Sequence, residues 1–278
     1  MSFVRKEIEK HYSEVQESER LASGVGELER LRTEAILAAH LPPPPAVIYD
    51  VGGAAGVYAF PLAERGYTVH LIDPVELHLE QARSRAASSG VALASINLGD
   101  ALLLGAPALT ADAVLLFGPL YHLVVGSERL EALRESYRIL KPGGVMFAAA
   151  ISRFASLIDG SVEGFFQDPE FRKIVAGDLD SGQHRNPTGN PAYFTTSYFH
   201  RPEELEVEVA EAGFQNVRVL AVEGLVWSAA RFKEAWQDET QRKTLMEFLA
   251  LVEQEPSIRG ASAHLLAVAQ RPKLPGMT

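Results

Sequence analysis

The stretch Ile48-Tyr49-Asp50-Val51-Gly52-Gly53-Ala54-Ala55-Gly56 decides the fold of this chain. Its first residues continue the run that begins at Ala46 and form a short, almost uninterrupted apolar strand. A strand of that kind has both faces covered, as in a parallel sheet. Three glycines then fall in the turn directly behind it, where a backbone without Cβ atoms can pass close to a ligand. A helix follows through Tyr58 to Arg65, Gly66 is placed to cap it, and Thr68-Val69-His70-Leu71-Ile72-Asp73 reads as the next strand. That is one strand-helix-strand unit.

Working outward, the alternation continues. Leu77 to Ala87 reads as a helix, Val91 to Asn97 as a third strand, Asp112 to Phe117 as a fourth, Ser127 to Leu140 as a helix and Val145 to Ala150 as a fifth strand. Val217 to Val222 and Leu265 to Ala269 supply two more apolar runs. The expected architecture is α/β, a Rossmann-like, seven-stranded, mostly parallel sheet with helices on both faces and helical lid insertions. Open sheets of this kind bind ligands beyond the carboxyl ends of their strands. Asp73 closes the second strand about 20 residues beyond Gly52, where a carboxylate accepts ribose hydroxyl groups. An Asp before Pro74 also suits a helix cap. Asp100, after the third strand, adds a second carboxylate on the same rim, in reach of an adenine amino group.

These segments resemble the class I S-adenosylmethionine-dependent methyltransferases, in their small-molecule branch. The resemblance covers the core from about Ala46 to Ala150 and extends less specifically through Ala269. It implies S-adenosylmethionine as cofactor, with Asp50, Gly52, Ala54 and Gly56 at its amino-acid end and Asp73 with Pro74 at the ribose. Asp100 and Ala101 fall at the adenine, with Phe117 beside the cofactor. Ala111 to Leu123 resembles the fourth strand and the substrate-facing turn beyond it, and Leu140-Lys141-Pro142-Gly143-Gly144 resembles the approach to the fifth. Ala54 stands where the family often has glycine; it is tolerated where that torsion is ordinary. The Asn/Asp-Pro-Pro-Tyr/Phe signature of many nucleic-acid amino methyltransferases is absent, since the fourth strand runs into Phe117-Gly118-Pro119-Leu120-Tyr121.

Methyl transfer needs positioning, desolvation and, for some acceptors, a base. Tyr121 and His122 follow the fourth strand at the ligand crevice and are candidates for catalysis and substrate contact, or for a pocket wall and a structural imidazole. His184 is the third catalytic candidate. With Arg185, Tyr193, Tyr198 and His200 it flanks a polar, Gly- and Pro-containing segment, where Arg185 suits a substrate carboxylate or phosphate and also suits a solvated loop. Tyr12 and Arg20 are expected to cover the cofactor from the amino-terminal helices, or to serve as a packing anchor and a surface charge.

The expected organisation is an N-terminal helical lid at 1–41, set off by Pro42-Pro43-Pro44-Pro45, and a methyltransferase domain at 42–278. Substrate-cap insertions are expected at 151–199 and 224–258. Trp227, Phe232, Trp236 and Phe248 in the second insertion read as core or cap residues. The chain has 26 Lys+Arg against 36 Asp+Glu, a net charge of −10, which disfavours nucleic-acid backbone as a partner. Hydrophobic residues make up 47%, enough for a substantial core. With no cysteine, disulfides and thiolate chemistry are excluded. No long apolar run suggests a membrane span or secretory signal, so a cytoplasmic monomer or homodimer is expected. His11, His40, His70, His78, His122, His184, His200 and His264 form no compact metal-ligand spacing, and no metal is expected. The leading reading is transfer of a methyl group to oxygen or nitrogen of a small metabolite. The alternatives are a non-catalytic cofactor-binding regulator and a nucleotide-dependent oxidoreductase.

Overall fold

The computed structural model describes residues 20–274 and 276. The chain divides into two compact units and enters each more than once. The first, here the core unit, comprises, of the described residues, 36–149, 206–218, 267–274 and 276. The second comprises, of the described residues, 20–35, 150–205 and 219–266.

The core unit is built on β1 (Val47–Val51), β2 (Thr68–Asp73), β3 (Ser95–Leu98), β4 (Ala111–Leu116) and β5 (Leu140–Ser152, which runs on into the second unit). They pair in parallel in the order β3-β2-β1-β4-β5. β1 and β4 lie at the centre, and Ile48, Val114, Leu115 and Leu116 have no exposed surface. Each such side chain contributes about 1.5–3 kcal/mol when fully buried, which is why the central strands carry continuous apolar runs. Helices Ala59–Glu64, Glu76–Ser89 and Gly126–Ile139 make the connections.

Two strand boundaries differ from the sequence reading by more than two residues. β3 begins at Ser95 and not Val91, because this edge strand has only β2 to pair with and the register starts at His70↔Ser95. β5 begins at Leu140 and not Val145, because Ala111↔Leu140 opens its ladder with β4 before a register shift. The segment Lys141-Pro142-Gly143-Gly144 is therefore part of a strand.

In the second unit β7 (Ser197–His200) runs parallel to the last residues of β5, with Ile151 opposite Phe199. β6 (Gln183–His184) pairs antiparallel with β7. β8 (Gln215–Ala221) and β9 (His264–Gln270) pair with each other, and β9 also pairs with β5. The main hydrogen-bonded path, β3-β2-β1-β4-β5-β7-β6, contains seven mostly parallel strands.

Helices Ala155–Glu163, Pro169–Ser181, Phe232–Gln237 and Glu239–Val252 fill the two expected insertions. Trp227, Phe232 and Trp236 form a buried cluster with Leu28 and Leu249. Phe248 does not join it: adjacent to Leu249 on the helix, it faces outward and is 62% exposed. Residues 20–35, including most of helix Gly24–His40, group with the second unit.

Candidate functional site

The chain leaves β1 for β2 on one side and later lays β4 on the other, which opens a crevice at the carboxyl ends of β1 and β4. The glycine turn and the segment Phe117-Gly118-Pro119 meet there. Gly52 donates its N–H to Ile72 O at 2.8 Å, and Phe117 donates to Val51 O at 3.2 Å. Gly52 has φ +75°, and a Cβ on it would stand 2.6 Å from Pro119 Cδ and 2.7 Å from the Phe117 carbonyl oxygen. A Cβ on Gly53 would stand 2.5 Å from the Asp50 carboxylate. Only glycine fits at either position. Gly53 is one of the turn glycines in the sequence reading but not one of the named cofactor contacts; here it lets the backbone lie directly on Asp50.

Ala54 departs from the expectation of an ordinary torsion: its φ is +47°, in the left-handed region. That conformation costs a non-glycine residue roughly 1–2 kcal/mol. The Ala54 N–H donates to Asp73 Oδ2 at 2.9 Å, an interaction that holds the turn in this conformation.

Asp50 is wholly buried, and among the described residues neither carboxylate oxygen has a hydrogen-bond partner. Burial, reinforced by the nearby Asp73 charge, raises its pKa to about 7. A buried polar group without a partner costs free energy unless a ligand or water supplies one. An orphaned acid beneath a glycine turn suits a cationic ligand group, and on this observation the site fits the amino-acid end of S-adenosylmethionine.

Asp73 is also buried, yet it is well supplied with donors. Oδ1 accepts from Val75 N at 2.9 Å and contacts His78 Nδ1 at 3.0 Å, while Oδ2 accepts from Ala54 N. Oδ2 therefore keeps spare acceptor capacity, whereas Oδ1 already has two contacts. His78 was not singled out in the sequence. Its signal was positional: it lies in the first turn of the helix that follows Asp73, on the side that faces back toward the strand end.

Of the remaining core-unit candidates, Asp100 uses Oδ1 to accept from Leu102 N at 3.0 Å, Ala101 is buried, and Pro74 is exposed. Phe117 packs edge-on against Tyr58, with centroids 5.2 Å apart. Tyr121 and His122 lie in the short helix Pro119–His122, half-buried, with their rings edge to face at 4.7 Å. The position of a Cβ on Gly118 lies 3.7 Å from the Tyr121 hydroxyl and 3.6 Å from Gly52 O. Gly118 thus lies beside both the glycine turn and the Tyr121 hydroxyl.

The second-unit candidates are placed differently. His184 is completely buried. Its Nδ1 contacts both Asp178 carboxylate oxygens at 3.1 and 2.9 Å, and its Nε2 contacts Tyr193 O at 2.8 Å. With both ring nitrogens engaged, it ties the 183–194 segment together and has no nitrogen available for an acceptor, so the catalytic and substrate-binding expectation for it is corrected. Tyr193 is buried against Phe165 and Phe171 and donates its hydroxyl to Asp168 at 3.0 Å, which makes it a core residue. Arg185 is exposed and donates to His184 O and Gln183 Oε1. Arg153 donates to the Tyr198 hydroxyl at 3.3 Å, and His200 is buried with its ring 4.7 Å from that of Tyr198. Arg20 pairs with Glu29 through two guanidinium nitrogens, at 2.6 and 3.0 Å. Tyr12 lies outside the described residues.

One cluster had no sequence signal. Glu29, Glu223 and His264, far apart in the chain, meet in the second unit. Burial opposes charge on the His264 imidazole, but the Glu29 and Glu223 carboxylates outweigh it and raise its pKa to about 9.

Fold and site together define a Rossmann-like α/β protein with a buried, orphaned acid at the carboxyl end of its first strand. Residues 48–144 match the family model described as a methyltransferase domain. A ubiquinone biosynthesis O-methyltransferase of Methylocella silvestris is 36% identical over 106 residues, which are 38% of this chain and 40% of that protein. The chain thus spans about two fifths of that relative's length. A ubiquinone/menaquinone biosynthesis C-methyltransferase of a Ruegeria species is 27% identical over 69% of this chain and 75% of its own. In fold, the chain resembles the crystal structure of an S-adenosylmethionine-dependent methyltransferase from Thermotoga maritima, described as a possible histamine N-methyltransferase. That likeness has a TM-score of 0.57 at 18% identity and covers 96% of this chain and 99% of the other. Residues 48–144 thus carry a methyltransferase domain, on a fold shared with S-adenosylmethionine-dependent methyltransferases.

Proposed function

We propose that this chain transfers the methyl group of S-adenosylmethionine to oxygen or nitrogen of a small metabolite. The observation that carries the reading is the buried, unpartnered Asp50 carboxyl group beneath a turn in which only glycine fits. Oxygen is the first acceptor to test, because the 36% identical relative is named for O-methylation. Carbon belongs in the same screen, since the Ruegeria relative is named for it.

When bound, S-adenosylmethionine supplies an electrophilic methyl group on a sulfonium centre. The chain's own residues would bind and orient. Gly52 and Gly53 admit close backbone approach, Asp50 ionises toward the cationic end of the ligand, and Asp73 Oδ2 accepts a ribose hydroxyl. Asp100 and Ala101 serve the adenine end. Tyr121 and His122, at the carboxyl end of β4, are proposed to contact the acceptor, with His122 as the group that takes its proton. Tyr198 and Arg185 remain candidates for substrate contact.

No helix among the described residues is long and apolar enough to cross a membrane. The acidic composition supports a small-molecule partner over a polyanion, and a cytoplasmic monomer or homodimer completes the proposal.

The test is mass-resolved transfer from methyl-labelled cofactor across a panel of phenolic, amine and carbon acceptors. The wild type should form a stoichiometric methylated product, Asp73→Asn should lose cofactor affinity, and His122→Ala should lose turnover with cofactor affinity kept. Cofactor binding without any product would favour the non-catalytic regulator, and unchanged turnover in His122→Ala would remove the proposed base.

A further inference from the structure

Glu29 comes from helix Gly24–His40, Glu223 from the turn after β8, and His264 from the first position of β9. One donor atom of each lies within 4.8 Å of the other two. His264 Nδ1 stands 2.6 Å from Glu223 Oε1 and 3.6 Å from Glu29 Oε2.

The surroundings organise these atoms. Glu223 is completely buried, and its Oε2 accepts from the Ser262 hydroxyl at 2.8 Å and from His264 N at 2.9 Å. Those two donors set the plane of the carboxylate and leave Oε1 toward the imidazole. Ser262 is itself fixed, since its oxygen accepts from Glu223 N at 2.9 Å and Gly224 N at 3.1 Å. Arg20 holds the Glu29 carboxylate through both oxygens, including the Oε2 that lies 3.6 Å from His264 Nδ1. Partners that orient ligands without occupying the shared centre are what the outer layer of a metal site provides. Among the described residues, Glu223 has no Arg or Lys ion pair; His264 is its cationic partner.

We infer that Glu29, Glu223 and His264 form a binding site for a divalent cation of the zinc and manganese class. One imidazole nitrogen with two carboxylate oxygens suits these ions, whereas Mg²⁺ and Ca²⁺ favour all-oxygen sets. Two carboxylates offset the dication, and Arg20 beside Glu29 leaves the site one charge positive, which favours an anionic oxygen ligand such as hydroxide. Coordination uses the Nδ1 lone pair, so the proton now facing Glu223 leaves to solvent and the ring remains as its Nε2–H tautomer. Bonds of about 2.0–2.2 Å from one ion place donors roughly 3–3.6 Å apart. The Glu29 contact already has that spacing, and the Glu223 contact must open slightly. The side chains of His264 and Glu29 are 23% and 13% exposed, which provides an entry path and leaves coordination positions for water or an oxygen ligand.

The experiment is calorimetric titration of chelator-treated, full-length protein with ZnCl₂, MnCl₂ and MgCl₂, for wild type, Glu29→Gln and His264→Gln. Circular dichroism establishes that each variant is folded, and Glu29→Gln alters the more accessible carboxylate if His264→Gln does not fold. The expected result is one Zn²⁺ or Mn²⁺ per chain, bound at least tenfold more weakly by the variants, with MgCl₂ much weaker on all three. The inference is overturned if the wild type takes up neither ion stoichiometrically, leaving a charge-balanced ion-pair chain through Arg20. It is also overturned if the folded variants bind as the wild type does, which would place the ion at another histidine. Neither readout depends on methyl transfer.

Discussion

Replacing Asp50 with asparagine should make the stability of the cofactor-free protein less dependent on pH. In the folded chain the Asp50 carboxyl group is raised from 3.8 to about 7 by burial, with Asp73 adding to the shift. The folded state therefore holds a proton that the unfolded chain releases near pH 4. For an acid shifted upward, the protonated form is the one the fold accommodates. The associated stability is fully present below the unfolded pKa and declines as pH rises toward 7. One pKa unit corresponds to about 1.4 kcal/mol, so the whole span amounts to on the order of 4 kcal/mol, and the part between pH 5 and pH 8 to about 3 kcal/mol. The amide of the Asp50→Asn variant cannot ionise and is nearly isosteric with the carboxyl group. Urea unfolding of wild type and Asp50→Asn at pH 5, 6, 7 and 8, without cofactor, measures the difference. The variant should gain about 3 kcal/mol relative to wild type between the two ends of that range. Parallel pH profiles would refute the argument, because they would mean that Asp50 is ionised and solvated, or paired, in the folded chain. A cofactor cation beside the carboxylate should also make wild-type binding tighten as pH rises through 7, a dependence Asp50→Asn should lack.

Three further outcomes are expected. Gly52→Ala should weaken cofactor binding and lower stability by more than about 1 kcal/mol, because it adds left-handed strain to a Cβ placed 2.6 Å from Pro119; equilibrium dialysis and thermal unfolding check it. His78→Gln should weaken cofactor binding roughly three- to tenfold, or about 1 kcal/mol, the scale of one hydrogen bond that positions Asp73. An unchanged dissociation constant would deny His78 that role. His184→Leu should destabilise the protein by about 3–5 kcal/mol, since it strands the buried Asp178 carboxylate. Denaturant titration that showed a loss under about 1 kcal/mol would mean the segment is held by other contacts.

Much of the core was legible because its signals are local. A parallel strand buried on both faces must be apolar along its length, so β1, β2 and β4 were readable within a residue or so. β3 and the start of β5 were less so, because their limits depend on which neighbour offers hydrogen bonds, and that is a property of the partner strand. In the candidate site, the positions of the glycine turn, Asp50, Asp73, Tyr121 and His122 at or after strand ends were legible, since chain order alone fixes them in a doubly wound sheet; their roles are proposals. The left-handed torsion of Ala54 was not, because residue type constrains φ only by preference. Nor could sequence distinguish a buried, doubly bonded imidazole at His184 from a reactive one, as both use the same side chain and differ only in what surrounds it.

By itself, then, the sequence determined the alternating strand-helix core, the family it resembles and the rim on which a nucleoside would sit, because strand period, glycine placement and the acid at the end of β2 are short-range features. Only the tertiary structure decided that Asp50 is orphaned, that Asp73 is shared with Ala54 and His78, that His184 is locked to Asp178, and that Glu29, Glu223 and His264 meet. Each of these depends on burial and on contacts, several between residues far apart in the chain, and those surroundings set the protonation and availability of an ionisable side chain.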